Sequence, residues 1–246
     1  MLGSVLARTR AIVRSYRWRW LDASHNDEDI PIPSLVGPLR YDVIALRDFI
    51  QFYSAHSDVA TDDFLRFLGE VRRQRFHDWK FASHAVREPH TTKDPAVWAR
   101  AFADEVRQAI DVWESMRQGF DRQFPIEVRV TSRLLPAISG KRVATRYILG
   151  DGSHRLACLM VLGYTALPRD FYRIRWYRRL RPFDGTWLLT RRGALPSQEY
   201  FAFLSMVYGA PQAFGDHAGF VDYVERHMPD RLGEIRQILR VDGFGG

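Results

Sequence analysis

The chain has 246 residues, of which 46% are hydrophobic and 26% are charged, and its formal net charge is +7 at neutral pH. This composition supports one large globular domain with appendages and excludes a disordered chain. No stretch approaches the roughly 18 to 20 uninterrupted apolar residues of a membrane-spanning helix, and the N-terminus lacks the features of a secretion signal. We therefore expect a cytoplasmic protein whose basic balance attracts an anionic partner: nucleotide, nucleic acid, phospholipid surface or acidic glycan.

The first 40 residues differ in character from the rest of the chain. Residues 2–21 mix apolar side chains with five arginines and predict a basic helix. This helix either docks on the domain through its apolar side or lies on the anionic inner face of a membrane. Residues 22–40 combine an acidic run with prolines and a glycine, which is typical of a connector. We thus expect a basic N-terminal helix and linker over residues 1–40.

In the next part of the chain, the apolar residues recur mainly at the intervals of a helix. Apolar residues between Tyr41 and Arg75 recur at helical intervals and predict two helices, with residues 61–63 as the start of the second. Residues 79–86 predict a short strand, and residues 88–91 predict a turn.

A long helix is predicted from about residue 95 to residue 118. Asp94 has the side chain of an N-cap, Pro95 suits the first helical position, and Gly119 suits the end. Its large aromatic residues, Trp98, Phe102 and Trp113, recur at helical spacing, so we expect them in the core.

Alternating side chains predict two strands, and a short apolar run before the glycines at 150 and 152 predicts a third. The predicted elements of this part are strands at 125–130, 147–149 and 171–177, a polar loop at 131–144, and helices at 197–208 and 218–240, the last one broken near residue 228. Between the second and third strands lies an apolar run that predicts a buried helix and contains the single cysteine, Cys158, which we expect to pack as a small hydrophobic residue.

The turn Gly150-Asp151-Gly152-Ser153-His154-Arg155 joins the second strand to the buried helix. Glycines allow a ligand to approach the backbone, and the first amides of a helix attract anions because they have no partner within the helix. Arg155 adds forked donors, and Ser153 and His154 add a hydroxyl and an imidazole. This combination predicts a phosphate-binding site.

Asp151 is the unusual member of the turn. A carboxylate beside phosphates is repelled unless it holds a metal ion, receives a proton or bonds backbone amides. The alternative is an ordinary turn in which Asp151 or Ser153 only caps the helix and His154 packs in the interior.

The run Ile148-Leu149-Gly150-Asp151-Gly152-Ser153-His154-Arg155-Leu156-Ala157, followed by Leu162-Gly163-Tyr164 and Leu167-Pro168, resembles the ParB/sulfiredoxin superfamily. The order of predicted elements is similar as well, so that the resemblance covers about residues 78–177. It implies an α/β fold with a small mixed sheet and packed helices over residues 41–180. The segments 1–40 and 181–246 would then be N- and C-terminal helical extensions.

Within that superfamily the turn binds nucleotide phosphates. Sulfiredoxins carry a cysteine where this chain has Ser153, and ParB proteins carry a Gly-Glu-Arg-Arg box that is not recognisable here. The pattern of Asp151, Gly152, His154 and Arg155 is most similar to the small-molecule kinases with an Asp-Gly-His-His-Arg motif.

The resemblance to these kinases implies a Mg²⁺-dependent kinase that uses ATP or another nucleoside triphosphate and acts on a hydroxyl of a small molecule or glycan. It implies that Gly150, Gly152, Ser153, His154 and Arg155 bind the nucleotide and that Asp151 and His154 are catalytic. Glu88, in the segment Glu88-Pro89-His90, has a place comparable to that of the kinases' catalytic base, but in a different residue order.

Two other functions stay open at this point. The strand with Arg173, Arg175 and their aromatic neighbours suits a ParB-like nucleic-acid-binding protein or nuclease. Alternatively, the protein is a non-catalytic nucleotide-binding regulator, docked through residues 2–21 to a membrane assembly. We predict no metal-ligating residues, because His77, His84 and His90 lack the close spacing of a zinc helix.

Overall fold

The computed structural model describes residues 18–20, 28–36, 40–56, 63–131, 146–177, 195–207, 209–210, 214, 216–229, 232–233 and 236. The helices and strands in chain order are β1 (Trp18–Trp20), β2 (Ile30–Pro31), α1 (Ile32–Leu35), α2 (Tyr41–Ala55), α3 (Phe64–Val71), α4 (Arg75–Arg87), α5 (Pro95–Gln118), β3 (Ile126–Thr131), β4 (Arg146–Asp151), α6 (Ser153–Val161), β5 (Ala166–Leu167), β6 (Tyr172–Tyr177), α7 (Ser197–Val207) and α8 (His217–His227). A 3₁₀ turn at Thr91–Lys93 connects α4 to α5.

The main sheet is mixed, with the order β1-β6-β3-β4. The central strand β3 pairs antiparallel with β4 and parallel with β6, and β1 adds an antiparallel edge to β6. Strands β2 and β5 form a separate antiparallel pair. The chain is therefore a mixed α/β protein with small sheets, as the sequence predicted at this level.

One face of the sheet is covered by helices. Ile126, Val128 and Leu149 point to this face and are fully or almost fully buried. Helix α6 packs on α2 and α5, and its residues Leu156–Leu159 lie in the same core. Burial of this run confirms the predicted interior position of the helix, including Cys158.

Helix α5 confirms the sequence prediction in detail. The Asp94 carboxylate accepts hydrogen bonds from the N–H groups of Ala96 and Val97, Pro95 is the first helical residue, and Gly119 ends the helix with φ +137°. Its aromatic residues Trp98, Phe102 and Trp113 are buried, as expected.

The strand predicted over residues 79–86 is wrong. These residues belong to α4, a helix of 13 residues. Phe76, Trp79 and Ser83 are buried, and their spacing of three and four residues is that of one helix face. A window of eight residues is too short for its period to distinguish a strand from a helix. His77 and His84 therefore lie on a helix.

The predicted N-terminal segment also needs correction. Residues 18–20, expected at the end of a basic helix, form the edge strand β1, and residues 1–17 lie outside the described part of the chain. The prediction of a connector over 22–40 is wrong at residues 30–35, because these residues form β2 and α1. Ile30 and Leu35 are fully buried, so this proline-containing segment contributes to the core.

Helix α7 confirms most of the prediction over 197–208, and α8 ends at His227, just before the predicted break. Tyr200 and Leu204 of α7 are fully buried, and the hydroxyl of Tyr41 on α2 donates to Glu199 at 3.0 Å. Thr131, predicted as the first residue of a polar loop over 131–144, is the last residue of β3, and the rest of the predicted loop lies outside the described residues. Among the described residues, no helix has both the length and the hydrophobicity to cross a membrane.

Candidate functional site

Strand β4 departs from regular pairing at Gly150. Glu127 of β3 pairs with Asp151, whereas the next residue of β3 pairs with Leu149, so that Gly150 is the extra residue of a β-bulge. A Cβ atom on Gly150 would lie 2.6 Å from Oε1 of Glu127 and 2.7 Å from Nε of Arg129. A side chain at position 150 would therefore displace the ends of these two side chains, which glycine lets cross the strand within the predicted site.

Helix α6 starts from a left-handed turn. Gly152 is its N-cap with φ +94°, and a Cβ atom there would lie 3.1 Å from Cγ1 of Ile126. No side chain caps α6; the carboxylate of Asp151 instead accepts the N–H of Gly152 at 2.7 Å. The first turn of the helix, residues 153–155, thus has the partial positive charge of an uncapped N-terminus.

Arg155 connects the start of α6 to the turn before β3. Its Nη1 donates to the carbonyl oxygens of Phe124 and, at 3.1 Å, of Pro125. Burial lowers the pKa of the Arg155 guanidinium from its ordinary value, and the carboxylate of Asp151 opposes this shift. An arginine remains charged in a protein, so the site keeps a fixed positive charge.

Asp151 and Arg155 line the same open cleft, of about 360 Å³. Glu127 and Arg173 line it from the sheet, and residues 123–125 line it from the turn. The cleft therefore carries two carboxylates and two guanidinium groups beside the start of a helix. Its volume lies in the range of small-molecule sites, roughly 300 to 1,000 Å³.

Glu127 is held between two arginines on the face of the sheet opposite to the helices. Its Oε1 accepts from Nε of Arg129 at 2.9 Å, and its Oε2 accepts from Nη1 of Arg175 at 3.1 Å. Arg129 also donates to the carbonyl oxygen of Gly150 at 3.3 Å. With 13% of its side chain exposed, Glu127 is the most enclosed charged group of this network. These bonds hold the bulge at Gly150 and the side chain of Glu127, which lines the cleft, in place.

Sequence reasoning missed Glu127 and Arg173 as residues of the site. A signal for them was present: both strands alternate apolar and charged residues, and the parallel register places Glu127 beside Arg173. Strand alternation predicts that these side chains share the polar face. The register itself, however, is set by the tertiary fold.

His154, predicted to be catalytic, does not line the cleft. Its Nε2 is shielded from solvent and has no hydrogen-bond partner among the described residues. Lys80 of α4 and Glu105 of α5 act electrostatically on the ring, and they are paired with each other at 2.6 Å. Burial, with a further contribution from the charge of Lys80, lowers the pKa of His154 below its ordinary value. The imidazole thus faces the helices behind α6.

Two other residues were predicted to belong to the site, Ser153 and Glu88. Ser153 is the first residue of α6 and is half-buried. Glu88 follows α4 and is exposed; its carbonyl oxygen accepts the hydroxyls of Thr91 and Thr92 at 2.8 and 3.2 Å. Glu88 does not line the cleft. The structure therefore brings Asp151 and Arg155 together and leaves Glu88 outside the cleft.

The side chains of the cleft determine which metal ions it could bind. In the part of the chain that the structure describes, no three His, Cys, Asp or Glu side chains lie close enough to hold a metal ion. Asp151 is an exposed carboxylate at the cleft, whereas Glu127 is occupied by arginines. One carboxylate fits an ion that is held mainly by substrate phosphates and water, as Mg²⁺ commonly is.

Comparisons of the chain with protein-family models, with curated proteins and with solved structures find no match.

Proposed function

We propose that the protein is a nucleotide-dependent phosphotransferase built on a ParB/sulfiredoxin-type domain, and that it phosphorylates a hydroxyl of a small molecule or glycan. One observation carries the proposal: the exposed carboxylate of Asp151 and Arg155, a residue of the uncapped first turn of α6, line one cleft. Phosphoryl transfer depends mainly on positioning and charge stabilisation, which these groups are suited to provide.

The nucleotide phosphates bind at the first turn of α6. The N–H groups of residues 153–155 and the helix dipole attract phosphate oxygens, and the fixed turn at Gly152 lets them come close. Arg155 and Arg173 contribute positive charge from two walls of the cleft. These donors are in place before the ligand arrives, so little reorganisation is needed when negative charge develops on the transferred group.

Asp151 acts on the acceptor. Its carboxylate orients the acceptor hydroxyl and takes its proton as the oxygen attacks the terminal phosphorus; the bond to the bridging oxygen breaks and the nucleoside diphosphate leaves. Mg²⁺, held mainly by the phosphate oxygens and water, would neutralise their charge, which leaves the Asp151 carboxylate to take the proton. We assign His154 to positioning, because its Nε2 is shielded from solvent and the residue does not line the cleft.

The first experiment tests binding and transfer in matched variants. Thermal stabilisation by a panel of nucleotides, with and without Mg²⁺, reports binding, because a ligand of the native state raises stability. Release of nucleoside diphosphate with a set of hydroxyl compounds reports transfer. We expect Asp151→Asn to keep nucleotide binding and lose about 10²- to 10⁴-fold in transfer rate. Arg155→Lys loses binding, because the forked donor geometry is lost.

Two control variants separate the site from general charge effects. Asp104→Asn removes an exposed carboxylate of α5 that pairs only loosely with Arg107, at 3.4 Å, and does not line the cleft. Glu88→Gln tests the base suggested by the sequence. Both should transfer phosphate at the normal rate. Full activity in Asp151→Asn would refute the proposed role of Asp151, and lack of stabilisation by every nucleotide would refute the function as a whole.

A nucleic-acid-binding function is the second candidate, because Arg129, Arg173 and Arg175 share one face of the sheet. Binding to nucleic acid through phosphates weakens steeply with salt. A steep salt dependence together with absent nucleotide binding would favour this alternative. Nucleotide binding without transfer to any acceptor would instead favour a non-catalytic regulator.

A further inference from the structure

The turn between α5 and β3 holds an aromatic ring out of the core. Phe124 leaves 65% of its surface exposed, and it is one of the residues that line the cleft with Asp151 and Arg155. A large exposed ring has no role in the stability of the core, and isolated exposed apolar residues are common on proteins. Phe124 differs because the residue that carries this exposed ring lines the same cleft as two arginines.

The backbone around Phe124 is held at several points. Its N–H donates to the carbonyl oxygen of Asp121 at 3.1 Å, and its own carbonyl oxygen accepts from Arg155. Arg122 forms an ion pair with Asp170 at 2.7 Å, which ties the turn to the segment before β6. The ring is thus presented by a fixed backbone, which lowers the entropic cost of binding a ligand against it.

We propose that Phe124 is the platform on which the base of a mononucleotide stacks while its phosphates bind at Arg155. This inference rests on the proposed function and specifies its ligand: a nucleotide, as opposed to a sugar phosphate or an inorganic polyphosphate. Every nucleobase has a π-face that stacks on an aromatic ring, whereas the phosphates need the charged donors of the same cleft. A volume of about 360 Å³ suits one nucleotide.

The test compares two ligands that differ only in the nucleoside. Binding of ATP and of inorganic tripolyphosphate, each with Mg²⁺, is measured by calorimetric titration at fixed ionic strength. In Phe124→Ala we expect ATP affinity to fall about 5- to 150-fold, which corresponds to the roughly 1 to 3 kcal/mol of one stacked base. Tripolyphosphate affinity should not change. Phe124→Trp should restore ATP binding, and Phe124→Leu should not, because leucine has no ring.

Phe81→Ala is the matched control, since Phe81 is also an exposed ring (49%) and does not line the cleft; it should leave both affinities unchanged. If the unaltered protein binds both ligands and Phe124→Ala binds ATP normally, the stacking proposal is overturned and the phosphate site stands. If the unaltered protein binds neither ligand, the proposed function fails and stacking with it. Tighter binding of a dephosphorylated oligonucleotide than of ATP, with the same loss in Phe124→Ala, would overturn the mononucleotide assignment in favour of nucleic acid.

Discussion

Gly152→Ala tests how much the left-handed turn at the start of α6, and its close contact with β3, contribute to the free energy of unfolding. At φ +94° an alanine pays the cost of the left-handed region, roughly 1 to 2 kcal/mol. Its Cβ would also lie 3.1 Å from Cγ1 of Ile126, a fully buried residue. Moving that side chain away from its rotamer costs about 0.5 to 1.5 kcal/mol more. We therefore expect a loss of roughly 1.5 to 3.5 kcal/mol in the free energy of unfolding.

Gly163→Ala provides the matched comparison. Gly163 follows α6 with φ +88°, and an added Cβ would meet no atom within 4 Å. This variant carries the backbone strain without the contact, so we expect it to lose only about 1 to 2 kcal/mol. Urea unfolding at equal m-values gives both numbers. If Gly152→Ala is as stable as Gly163→Ala, the contact with Ile126 is not tight and this reading of the turn is incorrect.

Two further predictions concern buried titratable groups. The pKa of His154 is lowered by folding, so the unfolded chain binds more protons in the window below its ordinary value of about 6.5. The stability contributed by neutral His154 is fully present above that value and is lost as the pH falls through the window. His154→Gln should flatten the fall of Tm between pH 7.5 and pH 5.5; an unchanged slope would assign the pH dependence to other groups. Burial raises the pKa of the Cys158 thiol to about 12, so the native protein should resist a thiol reagent at neutral pH, whereas the urea-unfolded chain should react with one equivalent. Rapid labelling of the native chain would contradict the buried position of Cys158.

Local sequence was sufficient to predict the structure where one or two residues determine a feature. The start of α5 follows from Asp94 and Pro95, because an N-cap carboxylate and an N1 proline act within one turn. The short strand before Gly152 and the buried helix after it were also predictable, because the glycines of the turn separate two apolar runs of different length. These predictions need no knowledge of the rest of the fold.

Other features depend on contacts far along the chain. Residues 30–35 look like a connector because of their prolines, but Ile30 pairs with Leu167 and is fully buried. Two side chains of the neighbouring strand, Glu127 and Arg129, come close to Gly150, and no sequence pattern around Gly150 predicts this approach. Tertiary pairing overrides local composition in both cases. The same holds for the cleft, whose walls come from a turn, three strands and a helix.

The placement of His154 follows from helix geometry. Successive residues of a helix are about 100° apart around its axis, so His154 and Arg155 do not share a face. Arg155 reaches the carbonyl oxygens of the turn before β3 and lines the cleft, which directs His154 toward Lys80 on α4. Similarity to a sequence motif assigns His154 and Arg155 to the same ligand. In the helix, however, the two side chains lie on different sides and have different neighbours. The chemistry of this cleft is therefore to be sought in Asp151 and Arg155, and the contribution of His154 in the stability of the helix that carries them.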